Sequence, residues 1–153
     1  MRKLGNRLLT SLAKSCGEEG FDTDIKVLKS VVALCGDTNY KIRMDGAVFM
    51  KEYLAMNHEA LKNSARLKQT YIPEICELLN DEETHIRIEA MESISYVLET
   101  LDEELIEREL MPNLLKMLVF EDNHDSIIQS MAQIIGKVVF KLQHTQLLNK
   151  YKE

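Results

Sequence analysis

The residues able to do chemistry are few in this chain and poorly spaced for it. Four histidines, His58, His85, His124 and His144, share no metal-ligand spacing with one another or with Cys16, Cys35 and Cys76. Glu82-Glu83 and Glu103-Glu104 are adjacent carboxylates that could divide acid and base roles. Neighbours on a helix point apart, however, and no apolar surround signals a pocket to hold such a pair. The run Gly17-Glu-Glu-Gly20 lacks the lysine of a phosphate loop and leads into further acidic residues. No Gly-x-Ser-x-Gly nucleophile elbow occurs. The chain is expected not to be an enzyme and to hold no metal and no cofactor.

Bulk properties narrow the partners. The net charge is -6 with a pI near 5.3, and no basic cluster is richer than Arg2, Lys3 and Arg7, which argues against nucleic acid. No run approaches the roughly 20 apolar residues that span a bilayer. Met1 to Asn6 is not followed by the apolar segment of a signal peptide, so a cytoplasmic protein without a membrane partner is expected. The odd number of cysteines, each on or beside an apolar helical stripe, reads as small core residues kept reduced rather than a disulfide framework.

The elements carrying these residues are helices. Two prolines and six glycines punctuate the chain, and strand-like alternation is scarce, so the fold class is all-α. Leu4, Leu8, Leu9 and Leu12 stripe a first segment closed by Gly17 to Gly20. Asp22-Thr-Asp24 offers N-cap side chains to a helix through Leu28, Val31 and Leu34, ended by Gly36. Its partner runs from about Tyr40 to Met56, and Asn57 to Ser64 reads as a linker. A second pair is expected at Ala65 to Leu79 and Thr84 to Leu101. A third is expected at Glu103 to Val119, with Pro112 inside or at a bend, and at Asp125 to Leu142. His144 to Glu153 restarts an apolar pattern with Leu147, Leu148 and Tyr151, as a further helix would.

Superposing the turns exposes a repeat. Asp37-Thr-Asn-Tyr-Lys-Ile42-Arg43 aligns with Asp81-Glu-Glu-Thr-His-Ile86-Arg87, 44 residues on, and with Asp122-Asn-His-Asp-Ser-Ile127-Ile128, a further 41 on. A period near 40 to 47 built of two helices is the HEAT and armadillo range. Pro73, eight residues before Asp81, and Ile86-Arg87 after it complete a spacing that resembles the HEAT repeat. The first unit has Lys29 where the proline is expected. The third has ten residues between Pro112 and Asp122, and Ile128 in place of the basic residue. The division is a partial repeat over 1–20, repeats over 21–60, 61–101 and 102–143, and the start of a further helix over 144–153.

Among HEAT proteins, Ile72-Pro-Glu-Ile-Cys-Glu-Leu-Leu-Asn-Asp81, Ile86-Arg87-Ile-Glu-Ala90 and Ile106-Glu-Arg-Glu-Leu-Met-Pro-Asn-Leu-Leu-Lys116 are similar to the scaffold and regulatory subunits of type 2A family serine/threonine phosphatases. The resemblance implies an α-solenoid scaffold that docks a phosphatase catalytic subunit and its substrates. A structural adaptor in a cytoskeletal or ciliary assembly is the alternative. If HEAT-like, the turns Asp37, Thr38, Asn39, then Asp81, Glu82, Glu83, then Asp122, Asn123, His124 form one partner-binding ridge. Asp37 with Arg43, and Asp81 with Arg87, are read as pairs that fix the turns, each arginine bridging to its own or the adjacent turn.

Two further expectations concern the ends. Leu4-Gly5 resembles Ile135-Gly136, about three periods on, and a glycine within a helix marks close approach of a neighbour. On that alignment the chain is an excerpt of a longer solenoid, or has a reduced N-terminal cap, and as an excerpt it would self-associate end to end. In the last helix Ile127, Ile128, Met131, Ile134, Val138 and Val139 span more than one face, enough for its own partner and a following repeat.

Overall fold

The computed structural model describes residues 21–56, 64–120 and 125–150, which are helical, with no strand among them. Helix α1 (Phe21–Cys35) and α2 (Tyr40–Met56) form one antiparallel pair, and α3 (Ala65–Leu78) and α4 (Thr84–Val97) a second. A 3-10 turn (Leu98–Thr100) leads to α5 (Glu103–Leu105), a π-helical stretch (Ile106–Leu110) and α6 (Met111–Met117); α7 (Asp125–Lys150) follows. Consecutive pairs lie side by side. α2 packs on α4 and α4 on α7, while α1 packs on α3 and α3 on the π-helical stretch and α6. Two helical layers result, with one continuous apolar core from Leu28 to Val138.

The 44-residue period is written in the burial pattern. Gly46, Ala47, Phe49, Met50, Tyr53 and Leu54 of the second helix are buried, and so are their counterparts Ala90, Met91, Ser93, Ile94, Val97 and Leu98. Both inner helices thus bury a wide arc, toward their hairpin partner and toward a neighbouring unit. In α7 the phase of burial also registers at 44 residues: Ala90 and Ile94 correspond to buried Ile134 and Val138. The 41-residue register read from the turn holds for the start of the helix but not for its packing. Buried Arg87 answers to buried Met131, whereas Ile128 is exposed.

Local rules explain most of the boundaries, and several expectations are corrected. Phe21 is already helical, so Asp22 and Asp24 lie within α1 and do not precede it. Gly36 ends α1 without the left-handed conformation of a glycine cap; instead the Asp37 carboxylate accepts from Asn39 N at 2.7 Å and turns the chain. Asn39 then caps α2, its side chain accepting from Lys41 N at 3.0 Å. The second pair's inner helix ends at Val97, four residues short of Leu101, because Thr100 Oγ1 bonds back to Val97 O and tightens the last turn.

Proline is handled twice. Pro73 lies inside α3 at an exposed position. Pro112 lies in the first turn of α6, and the wider π-helical turn just before it relieves the ring from the carbonyl it would otherwise strike. Asp102 starts this irregular helix by accepting from Leu105 N at 2.9 Å. No new helix opens at His144: α7 continues unbroken to Lys150, since nothing between Leu142 and Leu147 is a helix breaker.

The glycines reverse the expectation placed on them. A Cβ at Gly136 would meet nothing within 4 Å among the described residues, so no helix approaches there; Gly5 lies outside the described residues. The close approach is at Gly46, where a Cβ would stand 2.8 Å from Cys35 N and 2.9 Å from Leu34 C. There α2 lies against the backbone at the end of α1, and only hydrogen fits.

Candidate protein-binding ridge at the turns

The turn residues inherit their placement from the hairpins. In each of the first two units an aspartate side chain accepts from a backbone N–H two residues on: Asp37 from Asn39, Asp81 from Glu83 at 2.9 Å. The backbone of that second residue receives the first helical N–H groups, Ile42 and Arg43 on Asn39 O, Ile86 and Arg87 on Glu83 O. The two turns therefore share one pattern of backbone and aspartate hydrogen bonds 44 residues apart.

Arginine joins them. Arg43 donates from Nη1 to Asp37 O at 3.1 Å and Thr38 O at 3.2 Å, closing its own turn. The same guanidinium reaches the next unit, with Nε 2.7 Å from Asp81 Oδ2 and Nη2 3.1 Å from Asp81 Oδ1. Glu82 Oε1 adds a contact at 3.3 Å. The hydrogen bond to Asp81, with smaller help from its charge and from Glu82, raises the pKa of Arg43 further above its usual value against the opposing effect of burial. The Asp81 side chain is only 8% exposed, both its oxygens taken up by this joint.

Arg87 repeats the first half of the scheme. It donates from Nη1 to Asp81 O at 2.9 Å and Glu82 O at 3.1 Å, and from Nη2 to Thr84 Oγ1 at 3.2 Å. It is fully buried, and the Phe120 ring covers its guanidinium at 4.4 Å. The expected pairing of Arg87 with Asp81 thus runs through the carbonyl of Asp81 and not its carboxylate, which Arg43 occupies. Likewise Arg43 holds the carbonyl of Asp37, whose carboxylate turns the loop.

Of the ridge read from sequence, the structure brings together the first two turns. Thr38, Asn39 and Glu82 are exposed, Asp37 and Glu83 half-buried. Asp122, Asn123 and His124 lie outside the described residues. Beneath the Arg43–Asp81 joint is a cleft of about 500 Å³ lined by Cys35, Glu74, Glu77 and Asn80. Burial, then the nearby charge of Glu77, raises the pKa of Glu74 above the usual carboxylate value. Burial likewise pushes the Cys35 and Cys76 thiols up to about 12, where neither is a nucleophile. Among the described residues no group of histidine, cysteine and carboxylates could hold a metal. No described helix is long and apolar enough to cross a membrane.

Two joints escaped sequence reasoning. Lys51 of α2 bonds Glu89 at 2.6 Å and Glu92 at 2.8 Å on α4; burial opposes its charge, but these bonds outweigh it and raise its pKa. Lys141 of α7 donates to the carbonyls of Leu98 and Glu99 at 3.0 Å each, and to that of Leu101, satisfying the frayed end of the second inner helix. A lone lysine within an apolar stripe was the available signal for both. No family model matches the chain, and neither a curated protein nor a solved structure shows significant similarity to it.

Proposed function

We propose that this chain is a protein-binding scaffold, a HEAT-like α-solenoid that docks the catalytic subunit of a type 2A family serine/threonine phosphatase in the cytoplasm. The observation that carries the scaffold reading is Arg43, which ties its own turn to the next and sets Thr38 and Glu82 along one edge. Further support comes from the two helical layers and from the six buried positions, Gly46 to Leu54, that recur in the fourth helix and the turn after it at a 44-residue step. The phosphatase as occupant rests on the likeness of the segments around Ile72–Asp81 and Ile106–Lys116 to subunits of that family.

Calorimetric titration of the chain with purified type 2A family catalytic subunits tests the proposal. Binding is expected, weakened about tenfold or more by a combined Thr38→Arg and Glu82→Arg change that leaves the helical circular dichroism intact. If no such subunit binds, the phosphatase assignment fails, and capture of a cytoskeletal or ciliary component in its place would favour the structural adaptor. Binding unaffected by the double change would move the docking surface off the turns.

A further inference from the structure

Two residues past the deepest point of each inner helix, the chain points straight away from the core. Met50, Ile94 and Val138 stand 44 residues apart and are at most 1% exposed. Two residues of an α-helix turn a side chain through about 200°, to the opposite face. That places Glu52 on α2, Tyr96 on α4 and Phe140 on α7 at one repeat position. Glu52 is exposed there, Tyr96 is 45% exposed and Phe140 71%.

Side chains that cross between the helices set the three level. Lys51, beside Glu52, bonds Glu89 and Glu92 of α4. Lys141, beside Phe140, bonds the carbonyls of Leu98, Glu99 and Leu101 just beyond Tyr96. Glu52, Tyr96 and Phe140 therefore form a row across adjacent inner helices, in steps of roughly 8–10 Å, the spacing of packed helices. The apolar strip is one residue wide. Exposed Glu92 and Glu99 flank Tyr96 one turn to either side, and exposed Gly136 and Gln143 flank Phe140. A Cβ at Gly136 would meet nothing within 4 Å among the described residues, so the space one turn before Phe140 is open.

We propose that this row binds a polyproline II segment of a partner protein, with a basic residue on Glu52 and prolines on Tyr96 and Phe140. Such a segment has three residues per turn and rises about 3.1 Å per residue, so every third side chain returns to one face at about 9 Å. That is the step from helix to helix. The order carboxylate, aromatic, aromatic is read by Arg-x-x-Pro-x-x-Pro. Proline rings pack on exposed aromatic rings. Glu52 holds no ion pair among the described residues, so its carboxylate is available to the basic residue, while Glu92 and Glu99 at the edges disfavour an acidic ligand. A helical ligand, about 10–12 Å across, would press its apolar face onto those two carboxylates. A β-strand returns to one face every second residue, at about 7 Å, and falls out of step with the row. The inference rests on the scaffold reading, but on neither the phosphatase nor the turn edge.

The probe is a fluorescein-labelled peptide, Arg-Ala-Leu-Pro-Ala-Leu-Pro, titrated with the full chain and followed by fluorescence anisotropy. Binding with a Kd below about 1 mM is expected. Tyr96→Ala and Phe140→Ala should each weaken it about fivefold or more with the circular dichroism unchanged, since both side chains are exposed. Leu118→Ala, at an exposed apolar residue off the row, should leave it as it is. Glu52→Lys should weaken it too, and a peptide with glutamate in place of its arginine should bind that variant better than it binds the unsubstituted chain. The chain carrying Thr38→Arg and Glu82→Arg should bind the peptide normally, which separates this row from the turn edge. No binding at about 1 mM chain overturns the proposal. So does equal binding of a peptide with alanine at both prolines, or indifference to both aromatic changes.

Discussion

Arg43 and Asp81 meet in a two-point fork across the junction of successive units, Nε to Oδ2 at 2.7 Å and Nη2 to Oδ1 at 3.1 Å. Because Arg43 also holds two carbonyls of its own turn, one side chain sets both the shape of a turn and its distance from the next. With side-chain exposures of 14% and 8%, the pair is shielded enough for its geometry to matter.

Removing either partner should therefore cost more than a surface ion pair would. Arg43→Ala and Asp81→Ala are each expected to lower stability by about 2–3 kcal/mol, since a shielded charge is left behind. A double-mutant cycle in urea should return a coupling of about 1–2 kcal/mol. Strict additivity would show that the fork is not an energetic joint.

The two described helical glycines should respond in opposite directions. Gly46→Ala drives a methyl into the backbone of Leu34 and Cys35 and should cost about 1–3 kcal/mol. Gly136→Ala enters open space and should gain up to about 1 kcal/mol from helix propensity. Thermal melts separate the two cases.

Ile94 is 1% exposed in α4, within the layer that joins second and fourth helices. Ile94→Asp would bury a carboxylate there and should destabilise by about 4 kcal/mol or more, uncoupling the second unit from its neighbours. An unchanged melting temperature contradicts this packing.

Glu74 gives a pH-dependent test. Its pKa is raised in the folded chain, so its ionised form is penalised and folding favours the proton. Glu74→Gln should therefore raise the melting temperature at neutral pH. The gain should shrink as pH falls through the raised folded value and vanish below about 4.5, the carboxyl's ordinary value, where the native glutamate is neutral in both states. A difference that stays constant from pH 7 to pH 4 would assign the effect to packing.

Periodicity within each helix determined the elements, because an apolar face must recur every three or four residues to be buried: Tyr40 to Met56 was readable from one end to the other, and Ala65 to Leu79 to within one residue of its end at Leu78. The 44-residue step was readable too, from Asp37-to-Arg43 set against Asp81-to-Arg87. Only the tertiary structure decided where the arginines go, since a long side chain can reach its own turn or the next, and Arg43 does both. It also decided which glycine is crowded, for that depends on how near another helix comes. Linear order carries the rhythm of burial within a helix; the distance between helices is set by the sum of all the side chains between them.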